Sequence, residues 1–102
     1  MKKIVGLCAC PTGIAHTYMA ADAIEAAAKK LGHKSKVETQ GSIGIEEKLT
    51  KKDLEEADLI IISAAIKIRE VERFEAFEDK IIRVPLQKTI ASIDKIIKEK
   101  LD

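Results

Sequence analysis

With 102 residues, the chain has room for one domain built around a single hydrophobic core. A hydrophobic content of 46%, a charged content of 34% and a net charge of +1 suit a globular protein. They leave no general electrostatic case for binding nucleic acid or a membrane surface. An aromatic content of 3% also offers little for base stacking, and no apolar run approaches the roughly 20 residues that span a bilayer.

Taken in order, apolar runs and helical patterns alternate along the whole chain. Met1-Lys2-Lys3 and the short apolar run after it imitate a signal peptide. The run is too brief, however, and breaks into a Cys-Pro-Thr-Gly turn with no cleavage pattern. Residues 4–9 predict a central parallel strand, apolar on both faces. Residues 15–31 predict a helix with Met19, Ala23, Ile24, Ala27 and Leu31 on its inner face and Asp22, Glu25 and Lys29 outside. Gly32 is placed to end it.

Residues 34–39 predict a weaker strand nearer the sheet edge, and residues 40–45, with two glycines, a loop. Thr50-Lys51-Lys52-Asp53 has the form of a capping box opening a short helix to Ala57. Residues 59–63 are the clearest buried strand. A loop over 64–70 and a short helix over 71–77 follow. Residues 81–84 predict a fourth strand stopped by Pro85. From Thr89 a terminal helix turns Ile90, Ile93, Ile96, Ile97 and Leu101 inward. The expected fold is therefore one domain over 1–102, a three-layer α/β/α arrangement with a four-stranded, mainly parallel sheet. A strand-turn-helix phosphate-binding loop follows strand 1, at the carboxyl end where such sheets hold ligands.

That loop, Cys10-Pro11-Thr12-Gly13-Ile14-Ala15-His16-Thr17, carries the chemistry. It sets a thiol between a strand tip and a helix N-terminus, whose free N–H groups and positive dipole end favour anions and an ionised thiol. Pro11 biases Cys10 away from helical geometry, and Gly13 lets successive amides curl around one point. The amides of residues 12–17, with the Thr12 and Thr17 hydroxyls and His16, are candidate donors to phosphoryl oxygens. Cys10 is the expected nucleophile. Cys8, one layer deeper in the strand, reads as a small buried hydrophobe, and two cysteines make neither a disulfide framework nor a metal site.

The spacing Cys-x5-His-Thr is close to the Cys-x5-Arg of low-molecular-weight tyrosine phosphatases and arsenate reductases. It lacks the arginine that grips equatorial oxygens. A cysteine-dependent phosphatase or arsenate-reductase-like enzyme is the alternative to a carrier that forms phosphocysteine. A third reading is a regulatory module that only binds phosphorylated partners.

Residues 9–21, Ala-Cys-Pro-Thr-Gly-Ile-Ala-His-Thr-Tyr-Met-Ala-Ala, resemble the active-site signature of the fructose-specific IIB components of the bacterial phosphotransferase system. Leu31-Gly32-His33 with the segment 37–44, and Glu72-Arg73-Phe74, match two further signatures in order. The resemblance implies a cytoplasmic phosphoryl carrier at the inner face of the membrane. A IIA phosphohistidine would donate to Cys10, and phosphocysteine would pass the group to a sugar, fructose by default, held by the membrane IIC permease. IIA and IIC would be separate chains or domains, and neither metal nor organic cofactor is needed. Gln40, Gly41, Ser42 and Arg73 are candidates to face a partner or sugar, and Lys67 and Arg69 to dock an acidic surface. The loop over 64–70 lacks the aspartate that the family pattern carries near Ile66.

Overall fold

Strand β1 (Lys3–Ala9) is the axle of the domain, fully buried from Ile4 to Ala9. The computed structural model describes residues 2–9, 14–41, 44–64, 68 and 71–101. After β1 come α1 (Ile14–Lys30), β2 (Lys34–Gly41), β3 (Gly44–Glu46), α2 (Lys51–Glu56) and β4 (Leu59–Ala64). A 3₁₀ segment (Val71–Lys80), β5 (Ile81–Arg83) and α3 (Leu86–Leu101) complete the described chain. The strand order is β3-β2-β1-β4-β5, parallel throughout except for β3.

Side-chain alternation along β1 divides the core. Ile4 and Cys8 point to one side, where Ala20, Ile24, Ala28, Ile93 and Ile97 bring in α1 and α3. Val5, Leu7 and Ala9 point to the other, against Leu54, Ala57 and Phe74 from α2, the loop after it and the 3₁₀ segment. The three-layer expectation is met.

The sheet has five strands rather than four. Gly41 and Gly44 predict a loop, yet they face each other as the closing pair of a hairpin, with Gln40 opposite Ile45 and Thr39 opposite Glu46. Gly44 has φ +106°, a conformation costly for any residue with a Cβ. The short antiparallel β3 takes the sheet edge, so β2 lies inside it.

Met19 is the second correction. It is 50% exposed, and the inner face of α1 is formed by Thr17, Ala20, Ala21, Ile24, Ala27 and Ala28. Small side chains win this face because α1 lies close to the sheet: a Cβ on Gly6 would stand 3.0 Å from Ile24 Cδ1. The helix ends as predicted at Gly32 (φ +80°), whose N–H donates to Lys29 O while the His33 N–H donates to Ala28 O, a Schellman motif. His33 is half-buried, and its Nδ1 accepts the Lys2 N–H at 3.3 Å.

The short helix expected over 71–77 is a 3₁₀ segment extending to Lys80, with a break at Phe77. With three residues per turn, Phe74 and Phe77 stack on one side, and both pack into the α2-side core. The capping box is present: Thr50 Oγ1 accepts the Asp53 N–H at 3.2 Å and Asp53 Oδ2 accepts the Thr50 N–H at 2.9 Å.

Candidate functional site

The chain leaves β1 at Ala9 and enters α1 at Ile14. Ala9 is paired with Gln40 of β2 on one side and Ala64 of β4 on the other. The chain runs from β1 to β2 and later returns to β4 on the opposite flank, so the carboxyl end of β1 is the topological switch point of the sheet. Residues 10–13, with the predicted nucleophile Cys10 and with Pro11, Thr12 and Gly13, lie outside the described residues, as do Ser42, Lys67 and Arg69. Ile14, Ala15, His16 and Thr17 form the first turn of α1, at the positive end of the helix dipole. Thr17 is buried at the base of that turn.

The sequence holds two cysteines, and the fold disposes of one. Cys8 is wholly buried among α1, α3 and the sheet, and burial pushes its thiol up to about 12, with the Glu25 carboxylate adding to the effect. It is a neutral hydrophobe at physiological pH. Next to it in register is Ser63, whose Oγ lies 2.8 Å from Thr89 Oγ1 in a buried hydroxyl pair that ties β4 to α3.

On the α2 side of the same edge the structure gathers residues that sequence patterns place apart. Glu38, wholly buried on β2, receives both arms of the Arg73 guanidinium at 2.7 Å each. Its carboxylate also accepts the Gln40 side-chain amide at 2.7 Å and the Leu49 N–H at 2.7 Å. Arg73 Nη1 donates in addition to Leu49 O at 2.9 Å, and the guanidinium lies 4.9 Å from the Phe74 ring centroid. Burial pushes the Glu38 pKa up, but the bonds from Arg73, Gln40 and Leu49 outweigh it, so the carboxyl is held below its ordinary value.

Gln40 and Arg73 are therefore engaged inside the domain at this edge, Gln40 beside Ala9 and Arg73 only 14% exposed. Sequence reasoning missed Glu38 and Leu49. The available signal was parity: Glu38 shares its strand face with Gln40, and a carboxylate directed into a sheet covered on both faces requires a cation. A cleft of about 630 Å³ opens at the same end of the sheet, lined by Ile62, Ala64, Ile68, Phe74, Val84 and Pro85 among others. No helix among the described residues is long and apolar enough to cross a membrane, and none of their His, Cys, Asp and Glu side chains group as a metal site.

Doubly wound α/β domains bind ligands at such a switch point, and a helix N-terminus there suits an anion. The family model described as "PTS system, Lactose/Cellobiose specific IIB subunit" matches residues 5–99. The chain belongs to this IIB family of the sugar phosphotransferase system, and it is a phosphotransferase component.

The fructose-like EIIB components 1 and 2 of Escherichia coli K12 are each 47% identical to it, over 96% and 95% of this chain and 89% and 90% of theirs. A solution structure of a phosphotransferase-system IIB subunit from the same organism superposes with a TM-score of 0.88 at 47% identity, covering 96% of this chain and 89% of that one. A crystal structure of a domain from the fructose-specific IIABC component of Borrelia burgdorferi also gives 0.88, at 44% identity, covering 97% and 92%.

Proposed function

We propose that this IIB unit carries a phosphoryl group on Cys10, from a IIA phosphohistidine to a sugar held by a membrane IIC component, with fructose as the sugar. The observation that carries the reading is the separation of the two cysteines. Cys8 is locked in the core with a thiol unfit for nucleophilic work, and Cys10 belongs to the segment joining the switch-point end of β1 to the N-terminus of α1. Fructose is supported by the two fructose-like relatives, which match nearly the whole chain.

The chemistry balances without a cofactor. The Cys10 thiolate attacks phosphorus, the P–S bond forms as the P–N bond to the donor imidazole breaks, and the imidazole leaves with the electron pair and is reprotonated. A sugar hydroxyl then attacks the same phosphorus. The P–S bond breaks, the thiolate is regenerated and the hydroxyl proton passes to a base or to water. Amides of the residues from Pro11 onward into the first turn of α1, excluding the Pro11 nitrogen, hold the equatorial oxygens, joined by the Thr12 and Thr17 hydroxyls and by His16. Thiolate is a good leaving group, and a Cys-x5-His-Thr motif, without the arginine of Cys-x5-Arg, suits a group that must move on in either direction. The unit works in the cytoplasm, held at the inner membrane face through IIC.

The test is intact-mass and peptide mass spectrometry after incubation with phosphorylated IIA, with Cys8→Ala and Cys10→Ser beside the parent chain. The expected product is one phosphoryl group on the Cys10 peptide, lost only in Cys10→Ser. Transfer onward to labelled fructose in vesicles bearing IIC completes the assignment. Phosphatase or arsenate-reductase turnover without uptake from IIA would replace this reading with the enzyme alternative.

A further inference from the structure

The buried polar network at the carboxyl edge has a feature that stability alone does not account for. A buried ion pair is a poor stabiliser, because desolvation of both charges offsets most of their attraction. Here a wholly buried carboxylate and a nearly buried guanidinium are nonetheless joined by two parallel 2.7 Å bonds. The pair fastens together three segments distant in sequence: β2 through Glu38 and Gln40, the connection before α2 through both backbone groups of Leu49, and the 3₁₀ segment through Arg73.

All three converge on the end of β1. Glu38 stands opposite Leu7 and Gln40 opposite Ala9, the residue immediately before Cys10. Phe74, next to Arg73, packs in the same cluster as Leu7 and Ala9. An apolar substitute of similar volume would fill the space but would fix neither the side-chain angle of Gln40 nor the height of the 3₁₀ segment. A bidentate fork fixes both, because its geometry is planar and directional.

We propose that Arg73, Glu38 and Gln40 are positioning residues for phosphoryl transfer: they set the end of β1, and so the Cys10 sulfur, in line with the incoming and outgoing phosphorus. This rests on the carrier reading above and adds to it a part of the molecule outside the cysteine loop. The charges cancel within the network, so a dianionic phosphoryl group on Cys10 meets no uncompensated carboxylate from it. Misplacing a reacting atom by about 1 Å costs up to about a hundredfold in rate. The network therefore acts on the rate of transfer and not on capture of the donor.

The experiment is single-turnover phosphorylation by phospho-IIA over a range of donor concentrations, with thermal unfolding measured on every variant. Arg73→Lys keeps the charge and loses the fork. Glu38→Gln with Arg73→Met removes both charges while keeping an acceptor for the Leu49 N–H. Asp53→Asn weakens the capping box of α2 and the bonds that Asp53 accepts from Lys36 and Lys3 at the other end of the strands, and serves as the stability control.

The expected result is a maximal transfer rate about tenfold lower in Arg73→Lys and in the double variant, with the half-saturating donor concentration unchanged. The double variant recovers most of the parent's melting temperature but not its rate, and Asp53→Asn loses stability and keeps its rate. Rates that simply follow melting temperature across the series, or a double variant that transfers like the parent, would overturn the proposal and leave the carrier reading standing. A parent chain that takes up no phosphoryl group would overturn both.

Discussion

Two polar networks lie on the α2 face of the sheet, at opposite ends of the strands, and they are built differently. At the amino end, Asp53 receives Lys36 at 2.8 Å, Lys3 at 3.2 Å and the Thr50 N–H at 2.9 Å, while Lys3 also reaches Glu56 at 3.1 Å. Its lysines are 25% and 32% exposed. At the carboxyl end, Glu38 has no exposure and Arg73 little. The first network uses flexible point charges that water shares, and it caps a helix. The second uses a rigid fork out of water, next to the end of β1. Arginine suits buried, directional pairing and lysine the rim, so the choice of cation marks which end must hold a fixed geometry.

The comparison breaks most sharply on Arg73→Met. Removing one partner strands a buried carboxylate, and denaturant unfolding should show a loss of about 3 kcal/mol. The pH dependence has a definite sign. In the parent, the Glu38 pKa lies below its ordinary value of 4.5, so its contribution is present above that pH and is lost as pH falls through the lowered value. Without Arg73 the main bond opposing desolvation is gone and the Glu38 pKa rises. The gap between variant and parent is then widest near neutrality and narrows on acidification. A gap that stays constant from neutral to acidic pH would mean that Glu38 is not the stranded charge.

Asp53→Asn comes next, at about 1 kcal/mol, mostly through the weakened cap of α2. Partial burial pushes the Asp53 pKa up, and the bonds from Lys36, Thr50 and Lys3 more than reverse this, holding the carboxyl well below the ordinary carboxylate range. Its stabilisation is thus present above the ordinary value of 3.8 and lost only in strong acid, which an acid-unfolding series on parent and variant would show.

Lys36→Met should cost a few tenths of a kcal/mol and lose its effect at high salt, since a partly exposed pair is screened. A large effect that salt does not reduce would put the amino-end network in the same class as the carboxyl-end one.

Cys8 supplies a smaller, separate check. Its folded thiol is raised from 9.0 to about 12, so stability falls as pH climbs through that interval, because the unfolded chain ionises first. Native alkylation near pH 8 should leave Cys8 unmodified.

Much of this molecule is determined by residues close together in sequence. The buried strand expected over 59–63, the capping box at Thr50 and the Gly32 helix stop follow from local periodicity and backbone chemistry, and all are in place, the strand running one residue further to Ala64. Burial of Cys8 follows from its position in an apolar strand. The cysteine signature is also local, eight consecutive residues from Cys10 to Thr17, and the family it points to is the one the chain belongs to.

What tertiary structure alone decided involves partners far apart. Gly41 and Gly44 read as breakers until β2 and β3 pair across them, and Met19 read as core until Gly6 let the alanines of α1 approach the sheet. Val71–Lys80 took 3₁₀ geometry because Phe74 and Phe77 had to reach one core. Glu38 and Arg73 are 35 residues apart. A strand pattern can say that Glu38 points inward, but which cation answers it depends on how the sheet orders its strands and where the 3₁₀ segment packs.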